Sequence, residues 1–286
     1  MTNSICEPVV TLLVDNRAWG DLATEHGFSA WVEVEAMRVL FDTGQGSALR
    51  ANAEALGVDV RTTDVLVLSH GHYDHTGGVP WVLEQAPEVE VCAHPGLRVS
   101  RYSIRQGKAR SIGMPDDSRN ALGRIGPWRT ITGPMELAPG FGLTGPIPRR
   151  TTYEDTGGPF FLDPDGDSPD PIVDDLGLWV RTPRGLLVVT GCGHAGVVNT
   201  VRHAVEVSGE SRVHAVIGGF HLGEASEQRL DRTAEAFRKL GIDLIVPCHC
   251  TGDRAIARLA EALGERVEAG RAGQKYVRGH MVEPMP

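Results

Sequence analysis

VLVLSHGHYDHTGG, spanning Val65–Gly78, is the stretch on which the reading of this chain turns. Val65, Leu66, Val67 and Leu68 form an apolar run that reads as a buried strand, and Ser69 and Gly71 break it into a loop. That loop carries His70, His72, Asp74 and His75 in the spacing H-x-H-x-D-H. Imidazole and carboxylate are donors that suit zinc, iron or manganese. Residues two apart in an extended loop point the same way, so His70 and His72 can grip one ion. Asp74 and His75 lie one step further and can face a second ion beside the first. The competing reading is a polar loop with three chance histidines. The chain has 11 histidines in 286 residues, so three within six positions, with an Asp among them, favour a metal site.

Working outward, three other apolar runs end close to a histidine. Gly185–Thr190 leads to Gly191-Cys192-Gly193-His194, Val213–Gly218 to Gly219-Phe220-His221, and Ile242–Val246 to Pro247-Cys248-His249. A lone histidine of this kind is usually a satisfied loop residue. Three in equivalent places put His194, His221 and His249 on the sheet edge from which His70–His75 also emerges. Upstream, Pro8–Val14, Phe28–Glu35 and Arg38–Phe41 read as strands, the last ending in Asp42-Thr43-Gly44. Ser47–Leu56, Gly77–Gln85, Ala195–Val207, Ser226–Leu240 and Asp253–Leu263 have helical spacing. Gln274–Arg278 reads as a closing edge strand. His26 reads as a loop histidine, and His94, at the end of the strand Glu88–Ala93, stays outside the ligand set.

Two segments fall outside this alternation. An arm near 96–120 is basic, with Arg98, Arg101, Arg105, Lys108 and Arg110, and reads either as a solvated face or as a contact for an anionic substrate group. The stretch 151–175 is rich in Asp, Pro and Gly and reads as an irregular loop that caps the site as a lid. Its run Asp163, Asp165, Asp167 lacks the glycine and glutamate of a calcium loop. Arg149 and Arg150, just before it, are expected to line the entrance. No linker divides the chain, so residues 1–286 are expected to form a single domain with these two additions.

The composition is that of an ordinary globular protein, at 41% hydrophobic and 23% charged. A net charge of −9 with no Lys/Arg block argues against nucleic acid as a partner. No apolar run approaches the length of a membrane span, and no signal-peptide pattern opens the chain. Five scattered cysteines do not make a disulfide framework, which suits the cytoplasm. The expected partner is a small, anionic molecule, and association into an oligomer stays open.

The phrases LSHGHYDHTGG, TGCGHAGVVNTV, GGFHL and PCHCTG together resemble the metallo-β-lactamase superfamily. Within it they resemble the branch of 7,8-dihydropterin-6-methyl-4-(β-D-ribofuranosyl)-aminobenzene-5′-phosphate synthase-like proteins. The matching phrases run from Asp42 to Gly252. Periodicity alone makes this an α/β chain. The resemblance implies a four-layer αββα sandwich of two mixed β-sheets flanked by helices. It implies that His70, His72 and His194 hold one metal and Asp74, His75 and His249 the other. Where many members carry a bridging Asp in a T-G-D phrase, this chain has Thr190-Gly191-Cys192. Either Cys192 takes the bridging place, or the bridge is missing and His194 supplies a nitrogen. Cys192, Cys248 and Cys250 read otherwise as small packed hydrophobes. Asp42 is implied to steady a ligand histidine, against the plainer reading of a helix cap.

The implied cofactors are two divalent metal ions, zinc first, with iron or manganese as alternatives. Two ions a few ångströms apart lower the pKa of a shared water, so that hydroxide is the nucleophile. Asp74 would orient it as well as ligate, and His221 is the candidate general acid, or else a further ligand. The expected function is a binuclear, hydrolase-like enzyme acting on a small phosphorylated or pterin-like substrate. The alternatives are a phosphodiesterase or lactonase of the same fold, or a metal-containing ligand sensor with little turnover.

Overall fold

Side-chain alternation along the strands sorts the core into three layers. In Val65–Leu68, Val65 and Val67 enter one apolar cluster while Leu66 and Leu68 enter another. In Gly185–Thr190, Leu187 and Val189 enter that first cluster, and Leu186 and Val188 a third. The shared cluster lies between two sheets, and each of the others lies between one sheet and its helices. The computed structural model describes residues 5–126 and 128–283.

The first sheet has eight strands in the order His280–Val282, Lys275–Val277, Val9–Val14, Ser29–Val34, Met37–Phe41, Val65–Leu68, Glu90–Ala93 and Arg129–Thr130. Its last four strands run parallel. The second sheet has six, in the order Leu244–Cys248, Val213–Gly219, Gly185–Thr190, Gly177–Thr182, Phe141–Leu143 and Met135–Ala138. Its first three run parallel. Helices Ser47–Ala55, Val79–Gln85 and Asp116–Arg124 cover the first sheet, and Val197–Ser208, Glu227–Leu240 and Asp253–Leu263 cover the second. The result is the expected αββα sandwich of mixed sheets.

The helices follow from their sequence. In Glu227–Leu240, Leu230, Thr233, Ala234 and Phe237 are buried at i, i+3, i+4 and i+7. Ser226 accepts a hydrogen bond from the Arg229 N–H at the start, and Gly241 closes the end in the left-handed conformation. Among the described residues no helix is long and apolar enough to cross a membrane.

The second sheet begins at Met135, where two short strands precede Gly177–Thr182. Two expectations are corrected by pairing across the chain. Lys275–Val277 is not an edge strand, since it pairs with Val9–Val14 on one side and His280–Val282 on the other. The stretch 151–175 is not wholly irregular. Phe160–Phe161 pairs with Tyr102–Arg105, which pairs with Lys108–Ser111, so arm and loop form a small third sheet. Asp163 organises the turn beyond it by accepting N–H bonds from Asp165, Gly166, Asp167 and Ser168.

Candidate metal centre

Parallel strands end together, and the ends carry the polar residues. Phe41 leads to Asp42, Leu68 to His70, Thr190 to Cys192 and His194, Gly219 to His221, and Cys248 to His249. Ligands in open α/β sheets gather at this carboxyl edge. Asp42, His221 and His249 also adopt positive φ, at 62°, 46° and 47°. That conformation is costly for residues with a side chain and clusters at functional sites.

The hydrogen-bond network decides which ring nitrogens face inward. Asp42 is fully buried and accepts from the Ser69 N–H at 2.7 Å, the Ser69 hydroxyl at 2.6 Å and His75 Nδ1 at 2.7 Å. Having given its proton to Asp42, Ser69 Oγ can only accept from His70 Nδ1 at 2.9 Å. His70 Nε2 is therefore a bare lone pair. His194 Nδ1 donates to the Thr156 carbonyl at 2.8 Å, which leaves its Nε2 bare too. Both bare nitrogens point at His72 Nδ1, from 3.0 and 3.2 Å. At most one of these three atoms carries a proton, so lone pairs face one another in a buried space. A cation relieves that repulsion. A tetrahedral zinc ion with bonds of about 2.0–2.1 Å would set its nitrogens roughly 3.3–3.4 Å apart, close to what is seen. Burial pushes all three imidazoles well below their ordinary pKa, so they are neutral donors.

A second group lies alongside. His75, tied to Asp42 through Nδ1, aims Nε2 at Cys192 Sγ, 3.1 Å away. Burial opposes a charge on His75, but Asp42 outweighs it and lifts the imidazole to about 9. Asp74 Oδ2 sits 3.3 Å from His249 Nε2 and 3.2 Å from His26 Nε2. Burial works against the Asp74 charge as well, and the two imidazoles outweigh it, holding the carboxyl well below its usual range. Asn16 sets both rings. Its Oδ1 accepts from His249 Nδ1 at 2.8 Å, and its Nδ2 donates to His26 Nδ1 at 3.3 Å. Two sets, His70–His75–Cys192 and His26–Asp74–His249, join His70–His72–His194 as groups close enough to hold an ion.

These groups overlap with the expected pairing without repeating it. The structure brings His70, His72 and His194 together. Asp74 and His249 meet, but His75 turns its free nitrogen to Cys192, and the His75 and His249 ring centroids stand 5.2 Å apart. His26, read as an ordinary loop histidine, takes the place beside Asp74. Nothing local marks it, since its partner His249 is 223 positions away in the chain. Asp42 acts on a ligand-type histidine and not as a helix cap. His94 instead caps the turn Pro95–Arg98 through its own Nδ1.

A cavity of about 430 Å³ opens over these residues. Asp74, Cys192 and His249 lie at its buried end, Tyr73 and Phe160 flank it, and Arg105, Lys108 and Arg110 reach it from the exposed hairpin. His221 also lines it, and its Nδ1 is buried without a hydrogen-bond partner among the described residues. A Cβ at Gly157 would lie 1.9 Å from His221 Cδ2, so only a glycine lets the loop close against that ring. Of the arginines expected near substrate, several are committed elsewhere. Arg101 is buried against Asp170 and Asp174, Arg98 stacks on Trp128, Arg149 donates to the Pro171 carbonyl, and Arg150 pairs with Glu206. Neither Arg149 nor Arg150 lines the cavity. Arg105 pairs with Glu224, and Arg110 lies over the Tyr73 ring.

Comparison with known proteins agrees with this geometry. Residues 24–249 match the family model of the metallo-beta-lactamase superfamily. The 7,8-dihydropterin-6-methyl-4-(beta-D-ribofuranosyl)-aminobenzene-5′-phosphate synthase of Methanocaldococcus jannaschii is 31% identical, over 88% of this chain and 89% of its own. Among solved structures, Tm1679, a metal-dependent hydrolase of the beta-lactamase superfamily, superposes with a TM-score of 0.81 at 31% identity. That match covers 96% of this chain and all of the other. Zn(2+)-bound PqqB from Methylobacterium extorquens shares the fold, with a TM-score of 0.57 at 13% identity over 94% and 99% of the two chains. With the matched span, the fold and the clustered donors in agreement, this chain belongs to the metallo-beta-lactamase superfamily, as a metal-dependent hydrolase.

Proposed function

We propose that this chain is a two-ion hydrolase for a small anionic substrate that carries a phosphate or a pterin-like ring. The observation behind this reading is the cavity itself. Its buried end gathers imidazoles and Asp74, and at its exposed end Lys108 and Arg110 have no carboxylate partner among the described residues. The 31% identical relative is named for a product containing a dihydropterin and a phosphate, which supports the same substrate class.

His70, His72 and His194 would hold one ion, and Asp74 and His249 the other, with His75 reaching it from beside Cys192. The inward lone pairs, and the His249 Nε2 that faces Asp74, fit such ions. Zinc suits a set rich in imidazole with the Cys192 sulfur at hand. Bound there, the ions would supply Lewis acidity and would lower the pKa of water towards neutrality. Asp74, between His26 and His249, would orient the attacking water. Lys108 and Arg110 hold the anionic group, and the faces of Tyr73 and Phe160 receive a flat ring and exclude solvent. The loop 151–175 serves as the lid. His221 delivers a proton to the departing oxygen.

The test is a pair of rates. His221→Ala is expected to keep both ions and to lose roughly 10²–10⁴-fold in kcat on a substrate with a poor leaving group. The loss shrinks for p-nitrophenolate, which departs without a proton. Equal losses for both substrates with metal missing would make His221 a ligand. Lys108 and Arg110 favour a phosphodiester over a lactone, so bis(p-nitrophenyl) phosphate is the first substrate to try. A chain that holds both ions and cleaves no phosphoester would be a sensor.

A further inference from the structure

One donor cluster joins Cys250, which this scheme leaves out, to two residues that it uses singly. Cys192, His221 and Cys250 follow three neighbouring parallel strands, Gly185–Thr190, Val213–Gly219 and Leu244–Cys248. Their donor atoms lie within 4.8 Å of one another, and all three residues line the cavity. Both thiols are free. His221 Nδ1 is buried without a hydrogen-bond partner among the described residues, and the Cys250 side chain meets those of Cys192 and His221 besides a long contact to the Cys192 carbonyl, at 3.7 Å. The strand ends are built to come this close. A Cβ at Gly219 would sit 2.8 Å from Cys250 Sγ and 3.2 Å from Cys192 Cα.

We infer that Cys192, His221 and Cys250 form a third, thiolate-rich site for a soft divalent ion, and that filling it inhibits the enzyme. Bond lengths of about 2.3 Å to sulfur and 2.0–2.1 Å to nitrogen put tetrahedral S···S at about 3.8 Å and S···N at about 3.6 Å. From the observed span, closure takes about 1 Å at most, within reach of side-chain rotation. Two thiolates and a neutral imidazole balance a dication, and thiolate donors select zinc or cadmium over harder ions. The fourth position opens into the cavity. An ion there takes His221 from the leaving group and draws on Cys192, whose sulfur also faces His75 Nε2. The binding does not depend on the proposed hydrolysis, whereas the inhibition rests on it.

The experiment is a cadmium titration of the reduced full chain, read by bound metal per chain and by the ultraviolet cadmium–thiolate charge-transfer band. Wild type is expected to hold three ions per chain, and Cys250→Ser two, with the Cys250-dependent part of the band gone. In bis(p-nitrophenyl) phosphate hydrolysis, the third equivalent should slow wild type by about 10²-fold or more and leave Cys250→Ser at its own starting rate. If Cys250→Ser does not fold, His221→Gln reports the same loss of the third ion. Saturation of wild type at two ions, or retention of the third ion and the full band in Cys250→Ser, overturns the site. Failure to hydrolyse any substrate would overturn the proposed function and the inhibition, while the metal count still decides the site.

Discussion

Replacing Arg101 by Met should be among the most damaging single changes in this chain. Arg101 is 1% exposed. Its Nε donates to Asp170 Oδ2 at 2.7 Å, and its two Nη atoms grip both oxygens of Asp174 at 3.0 and 2.5 Å. Asp174 also accepts the Gly71 N–H at 2.9 Å, between His70 and His72. One guanidinium therefore ties the arm, the lid loop and the metal loop together. Met keeps the volume and leaves two buried carboxylates without their cation, a change that costs roughly 3–5 kcal/mol. That is a large share of the roughly 5–15 kcal/mol that stabilises a typical domain. At about 2–4 °C per kcal/mol for a chain approaching this size, the melting temperature falls by roughly 6–20 °C. Urea unfolding of metal-free protein, followed by tryptophan fluorescence, measures the loss directly.

Protonation gives a second reading of the same variant. Burial already raises the Asp174 carboxyl, with Arg101 opposing the rise. Without Arg101 it rises further. A folded pKa above the unfolded one gives stability that is present at low pH and lost as pH rises. The variant should thus regain ground on acidification towards pH about 4, near the unfolded carboxyl value. Adding Asp170→Asn and Asp174→Asn should restore much of the loss at neutral pH. A loss under about 1 kcal/mol, or no rescue by the double Asn change, would refute the claim that a buried ion network anchors these segments.

The remaining expectations concern the site. His72→Ala and His249→Ala should each lower bound metal and the holo melting temperature, because metal binding is folding free energy in part; metal analysis and calorimetry check both. Lys108→Glu and Arg110→Glu should raise KM for a phosphorylated substrate with kcat nearly unchanged, while Arg149→Glu and Arg150→Glu leave KM alone, as steady-state kinetics will tell. Burial lifts the Asp15 and Asp175 carboxyls to about 7. Their contribution to metal-free stability is full below pH about 4 and lost as pH rises through about 7, and Asp175→Asn should flatten denaturation midpoints across that window.

The sequence by itself determined what is local. Continuous apolar runs placed Val65–Leu68, Gly185–Thr190, Val213–Gly219 and Leu244–Cys248 as buried strands within a residue or two, because a strand covered on both faces is apolar at neighbouring positions. The donors at their ends were legible for the same reason. His70, His72, His194 and His249 each stand directly after, or a few residues beyond, an apolar run. Only the tertiary structure decided what depends on distant partners. Met135–Ala138 and Phe141–Leu143 are too short to declare themselves and exist through pairing with Gly177–Thr182. Arg101 looked like one more cation on a basic arm until Asp170 and Asp174, about 70 positions away, buried it. Asn16 reaches His249 across 233 positions and His26 across ten, and carried no signal of its own. The thiol pair drew attention as single cysteines and gained meaning when two parallel strands set Cys192 and Cys250 side by side. Propensity and periodicity act between neighbours in the chain. Which nitrogen faces inward, which arginine is free and which carboxyl is charged are set by what lies across the fold, where the packing of the two sheets brings remote residues within hydrogen-bond reach.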